Sequence, residues 1–168
     1  DVGKALGLKT QELRELEIAA LLHDGGKLSL PLYLTDKSPK DYSSEETLLY
    51  RTHPAIAREF VKSIPHYARI GDLIHGHHER LDGSGFPSGL KGNDIAMESY
   101  VIGLMDEYDH LIRRPSVNPE FAYQYTCECI AEFSDTKFPA RLVQVVLDYI
   151  ETIHHRSISE DVMRVGLS

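Results

Sequence analysis

Across residues 12–24 the apolar side chains Leu13, Leu16 and Ala20 recur every three or four positions, and His23 continues the same line. That rhythm among strong helix formers predicts an amphipathic helix, with Thr10 as its N-cap and Gly25-Gly26 as its stop. Residues 28–42 carry Pro31, Pro39 and Asp41 and predict an irregular connection. Ser43 or Ser44, followed by Glu45 and Glu46, opens a second helix expected to reach residue 62. Pro65 starts a third, which carries Ile70, Leu73 and Ile74 toward His77, His78 and Glu79. Residues 82–89 are then dense in glycine, serine and proline and read as a loop. Helical patterning resumes over 94–113, 119–132 and 139–153, without strand alternation, internal repeat or linker. The expected fold class is all-α, in a single helical domain.

Composition narrows the function. The chain has 168 residues, 42% hydrophobic and 26% charged, enough to bury one core. Its net charge of -8 argues against coating the phosphates of long nucleic acid, while leaving room for a local cationic site facing a small anion. No apolar run approaches the ~20 residues of a membrane span. The only cysteines, Cys127 and Cys129, are too close for a useful staple; they read as small helix residues and suit a reducing, cytoplasmic setting. The chain starts at Asp1 rather than Met, so an N-terminal truncation is expected.

Nine histidines change the picture most. His23-Asp24 and His77-His78 sit beside predicted helix ends, from which neighbouring side chains splay toward one pocket, and His53 and Asp106 arrive from other helices. Four imidazoles with two carboxylates suit a divalent transition metal better than calcium or magnesium. Glu79 and Asp82 could themselves be ligands, but the stronger expectation is that they orient ligating imidazoles by hydrogen bonds. His66, His75, His154 and His155 are expected at the surface.

These residues also carry a resemblance. His23-Asp24-Gly25-Gly26-Lys27 resembles the His-Asp-x-Gly-Lys signature of the HD phosphohydrolase superfamily. The run from His77-His78-Glu79 through Asp82-Gly83-Ser84-Gly85-Phe86-Pro87 is similar to the HHExxDGxGYP block of its HD-GYP subfamily. The likeness continues through Gly89-Leu90-Lys91-Gly92 and Asp106-Glu107-Tyr108-Asp109 and covers about residues 3–150, so residues 1–168 are taken as one HD-GYP-like domain.

The resemblance implies a helical fold around a bi- or trinuclear centre, and hydrolysis of the bacterial second messenger cyclic di-GMP to pGpG or GMP. It implies two or three divalent transition ions, iron or manganese, held by His23, Asp24, His53, His77, His78 and Asp106, with Asp24 bridging. Lys27 then matches the lysine beside the substrate phosphate, and Asp24 and Lys27 are the catalytic pair. Arg114 and Phe86 join Lys27 as expected substrate contacts, although the segment after Asp106 is one residue short and leaves Arg113 as the other alignment. Other signalling domains, such as GGDEF proteins, are the expected partners alongside cyclic di-GMP.

The pattern has departures. Phe86 replaces the tyrosine of the GYP triplet, Gly25 replaces a branched apolar residue, and His110 replaces an alanine. A further family histidine, from a helix preceding this chain, is not in it. The competing expectation is therefore a catalytically weak or inactive signalling domain that binds metal and nucleotide; a third is hydrolysis of another phosphoester.

Overall fold

A computed structural model of the chain describes residues 1–35, 37–113 and 118–165. Its α-helices are α1 (Val2–Ala5), α2 (Thr10–Leu22), α3 (Leu32–Thr35), α4 (Ser44–Tyr50), α5 (His53–Lys62), α6 (Ala68–His75), α7 (Met97–Ile112), α8 (Pro119–Glu132) and α9 (Ala140–Val165). Among the described residues the sole β-type pairing is an isolated bridge between Ser134 and Phe138. The all-α expectation holds.

The core follows the periodicity of the chain. α6 buries Ile70, Leu73 and Ile74, and packs against α2 and α5. α5 buries His53, Pro54, Ala57 and Val61, a stripe spaced by helical turns, so His53 lies on the core face of its own helix. α7 buries Val101, Ile102, Gly103 and Leu104 and contacts α2, α6, α8 and α9. Phe138, Leu142, Val146 and Ile150 close the far side. Among the described residues no helix is long and apolar enough to cross a membrane.

Several boundaries differ from expectation, each for a local reason. Lys9, not Thr10, is the N-cap of α2, and its backbone N–H donates to the Glu12 carboxylate at 2.7 Å. Gly25-Gly26 does not terminate α2, which ends at Leu22; the glycines open a 3-10 turn, Gly25–Ser29. A Cβ on Gly26 would stand 2.0 Å from the His53 carbonyl oxygen, so the turn can pass against the start of α5 only because that side chain is absent. The connection 28–42 contains α3 and a 3-10 turn, Pro39–Asp41, and the Tyr42 hydroxyl donates to the Leu34 carbonyl at 2.8 Å. α6 begins at Ala68 rather than Pro65, because His66 has φ +70°. α9 runs to Val165, well past residue 153.

The helix expected over 43–62 is two helices. Ser43 and Glu46 form the anticipated capping box: the Glu46 N–H donates to Ser43 Oγ at 3.2 Å and the Ser43 N–H to Glu46 Oε2 at 2.8 Å. The helix then breaks at Arg51 and Thr52. Pro54 has no N–H to give the Tyr50 carbonyl four residues earlier, and its ring would crowd that oxygen. The break leaves the carbonyl of Tyr50 without an intrahelical partner, and the His53 ring takes it up at 2.8 Å.

Candidate metal centre

An imidazole beside a backbone carbonyl must donate to it, which leaves its other nitrogen as a lone pair. That arrangement occurs three times. The Nδ1–H of His23 donates to the Ala20 carbonyl at 2.8 Å, that of His53 to Tyr50 at 2.8 Å, and that of His77 to Ile74 at 2.5 Å. Each acceptor lies three residues back, at a helix end where carbonyls lack intrahelical partners. The helix termini thus set both the tautomer and the aim of each ring, and three Nε2 atoms point inward. His78 joins them through ring contacts, 4.0 Å from His77 and 5.0 Å from His53 between centroids.

The inward atoms lack partners of their own. Nε2 of His53 and His77 face each other at 3.4 Å, two lone pairs with no proton between them. His23 Nε2, His78 Nε2 and Asp24 Oδ1 are buried without a hydrogen bond. Leaving polar atoms so costs free energy unless a cation joins them. The donor atoms form two groups, His53, His77 and His78, and His23, Asp24 and His77, with all atoms of a group within 4.8 Å of one another. Asp24 lies between the groups, with Oδ2 3.6 Å from His23 Nε2 and Oδ1 3.6 Å from His53 Nε2. Asp106 Oδ1 stands 4.0 Å from His23 Nε2. The fold therefore brings together His23, Asp24, His53, His77, His78 and Asp106, and this donor set fits divalent transition metal.

Electrostatics favours the same occupant. Burial lowers His53 to about 4 and His77 to about 3, and it also depresses His78, where neighbouring imidazoles add to the effect. These rings are neutral at physiological pH, as metal ligands must be. Burial raises the Asp106 carboxyl, but the His110 hydrogen bond and the charges of His110, Lys27 and His23 outweigh it, so its pKa is lowered. Burial likewise opposes the Lys27 ammonium; Tyr50, Asp24 and Asp106 overcome it and raise the pKa. Lys27 Nζ donates to Asp24 Oδ2 at 2.6 Å, which puts a cation at the edge of the cluster.

The loop after His78 is held by a residue whose expected task was different. Among the described residues Glu79 makes no hydrogen bond to an imidazole: its fully buried carboxylate accepts the N–H of Ser88 at 2.7 Å and of Leu90 at 3.0 Å. Asp82 accepts the Ser84 N–H at 2.8 Å and likewise makes no hydrogen bond to an imidazole among the described residues. A Cβ on Gly85 would meet the His78 carbonyl oxygen at 2.4 Å, so the loop lies directly on the histidine turn. There Phe86 stacks on His78, with centroids 4.5 Å apart and planes at 25°, and the Arg51 guanidinium covers it at 5.3 Å.

Two residues with clear work at the site were not anticipated. Tyr50 supplies the carbonyl for His53, and its ring lies 4.9 Å from that imidazole. Arg80 is buried, donates to the carbonyls of His77 and Glu79 and pairs with Glu107 at 2.7 Å, tying the His77-His78 turn to α7 beside Asp106. Pro54 was the available signal for the first. The second had only its position inside the motif.

Arg114, an expected substrate contact, lies outside the described residues; Arg113 pairs with Asp109 at 2.7 Å and is exposed. His75 is half-buried rather than exposed, and His154 stacks on Tyr123 at 3.7 Å, whereas His66 and His155 are at the surface as expected. Cys127 and Cys129 are free thiols on α8.

A family model described as HD domain matches residues 1–128. The cyclic di-GMP phosphodiesterase response regulator RpfG of Xanthomonas campestris is 38% identical over 113 residues, 66% of this chain and 30% of that protein. A cyclic di-GMP phosphodiesterase of Thermotoga maritima is 29% identical over 171 residues, 98% of this chain and 46% of that protein. Among solved structures, an HDG"Y"P protein from Bdellovibrio bacteriovorus superposes with a TM-score of 0.70 at 23% identity, covering 89% of this chain and 48% of that one, which is a likeness of fold. The chain spans less than half the length of the relatives it matches. The matched segment contains every helix that contributes to the histidine and aspartate cluster, and the chain belongs to the HD domain family.

Proposed function

We propose that this chain is the hydrolytic unit of an HD-GYP-type phosphodiesterase that opens cyclic di-GMP to pGpG, with GMP as the further product. One observation carries the reading: unpartnered nitrogen and oxygen atoms of His23, Asp24 and His78 converge beside a charged lysine. The relatives named as cyclic di-GMP phosphodiesterases support the choice of substrate.

In this reading His23, Asp24, His53, His77, His78 and Asp106 would hold two or three divalent ions, iron or manganese, with Asp24 lying between the two donor groups. Bound there, they supply Lewis acidity that makes water nucleophilic near neutral pH and offsets phosphate charge. The chain's own residues do the rest. The helix-end carbonyls of Ala20, Tyr50 and Ile74 hold the rings in register. Lys27 meets negative charge as it develops on the phosphate, and Phe86 closes the site on the loop side. Arg114 is the proposed second phosphate contact. The relatives give no support for the expected GGDEF-type partner, and the cytoplasmic setting rests on the two free thiols alone.

Phe86 favours one alternative, a domain that binds metal and nucleotide with little turnover, since its ring occupies the place beside His78 without a hydroxyl. Incubation of manganese- or iron-loaded protein with cyclic di-GMP separates the two. Formation of pGpG or GMP supports hydrolysis; tight binding of intact dinucleotide without product supports the alternative. Cyclic GMP-AMP belongs in the same assay, because a relative from Vibrio cholerae, 33% identical over 110 residues, is named as specific for it.

A further inference from the structure

Tyr50 ends α4, and both its carbonyl and its ring are held in place. Its carbonyl accepts from His53, and its half-buried ring lies 4.9 Å from the His53 ring, 6.3 Å from His78 and 6.4 Å from Phe86. Lys27 Nζ stands 5.4 Å from the ring centroid. The phenol oxygen meets that ammonium, with the carboxylates of Asp24 and Asp106 in electrostatic reach. Lys27 and Tyr50 open together on a pocket of about 230 Å³, whose lining also includes Tyr42, Lys37 and His110.

The donors in that lining are not equivalent. The Tyr42 hydroxyl donates to the Leu34 carbonyl at 2.8 Å, and Lys37, which pairs with Glu46 at 2.6 Å, is exposed to solvent. His110 leans on Asp106, Nδ1 to Oδ1 at 3.5 Å. Lys27 has three N–H groups and gives one to Asp24. A phenol that accepts from Lys27 keeps its own O–H proton to donate. An ordinary phenol keeps its proton at neutral pH.

We propose that Tyr50 is a substrate-binding residue, its hydroxyl acting with the Lys27 ammonium to take one non-bridging phosphate oxygen in the pocket beside the metal centre. A neutral and a cationic donor on one wall complement a phosphodiester better than either alone, because the anion keeps two hydrogen bonds where it loses water. This assignment rests on the phosphodiesterase reading, but its test does not require turnover.

The test is calorimetric titration of inorganic phosphate into manganese-loaded wild type, Tyr50→Phe and Lys27→Met, with metal content and Tm measured on each. Phosphate affinity should weaken on the order of tenfold in Tyr50→Phe, the worth of one hydrogen bond to a charged group, with manganese content and Tm unchanged. Unaltered phosphate affinity in Tyr50→Phe would overturn the assignment. So would a loss of affinity that tracks a loss of manganese, which would make Tyr50 a support for His53 only, or a wild type that binds no phosphate. Cyclic di-GMP cleavage by a wild type whose phosphate affinity ignores the substitution would retire Tyr50 and keep the phosphodiesterase. Weakened phosphate binding with no cleavage would do the reverse.

Discussion

Histidine has two ring nitrogens, and at His23, His53 and His77 a backbone carbonyl three residues earlier takes one and turns the other inward. Those rings are buried as neutral groups, which makes the metal-free protein acid-sensitive. The folded pKa values of His53 and His77, about 4 and about 3, lie below the ordinary 6.5. The unfolded chain therefore binds these protons first as pH falls, and stability, full above pH 6.5, should decline progressively toward pH 4. Chemical denaturation of metal-free protein across that window checks the sign; stability flat or rising on acidification would contradict it. Phe86 offers a second test at this scale. If the position calls for a hydroxyl at the developing phosphate charge, Phe86→Tyr should raise kcat roughly tenfold or more while metal content and Tm hold. Unchanged turnover would mean that the ring stacked on His78 is all the position needs.

At the scale of elements, most helices were legible because their apolar periodicity and caps agree: the Ser43/Glu46 box and the start at Pro119 stand where the pattern put them. The errors came from backbone geometry. Pro54 was present in the sequence, yet the apolar rhythm runs across it, and only the structure displays a helix split whose freed Tyr50 carbonyl holds the His53 ring. Gly25-Gly26 read as a stop because glycine commonly ends helices, but the requirement at Gly26 is a close approach to α5, a contact that sequence spacing does not carry. The two glycines make a paired prediction. Gly26→Ala places a Cβ 2.0 Å from the His53 carbonyl oxygen, and Gly25→Ala meets nothing within 4 Å. Gly26→Ala should cost about 2–3 kcal/mol or more, a fall in Tm of several degrees, whereas Gly25→Ala should leave Tm close to wild type. Equal melting temperatures for the two variants would contradict the packing described here.

For the whole molecule, the cluster was partly legible because four of its residues sit in runs that few other roles require: His23-Asp24 before a Gly-Lys turn and His77-His78 before a glycine-rich loop, whereas His53 and Asp106 have no such run. What could not be read was the support. Glu79 looked like a partner for imidazole but is a buried anchor for loop amides, and Arg80 links that turn to Glu107 across 27 residues of chain. Both depend on which groups the fold leaves unpaired, which is a property of three-dimensional burial. The central claim is that these helices converge to hold metal for phosphodiester hydrolysis, with Asp24 set between the two donor groups. Its most direct test is product formation from cyclic di-GMP by manganese- or iron-reconstituted wild type and Asp24→Ala, each with metal content measured by elemental analysis. The account predicts pGpG or GMP from the wild type, and loss of at least half the bound metal together with product from Asp24→Ala. Full metal content and equal product in both proteins would contradict it.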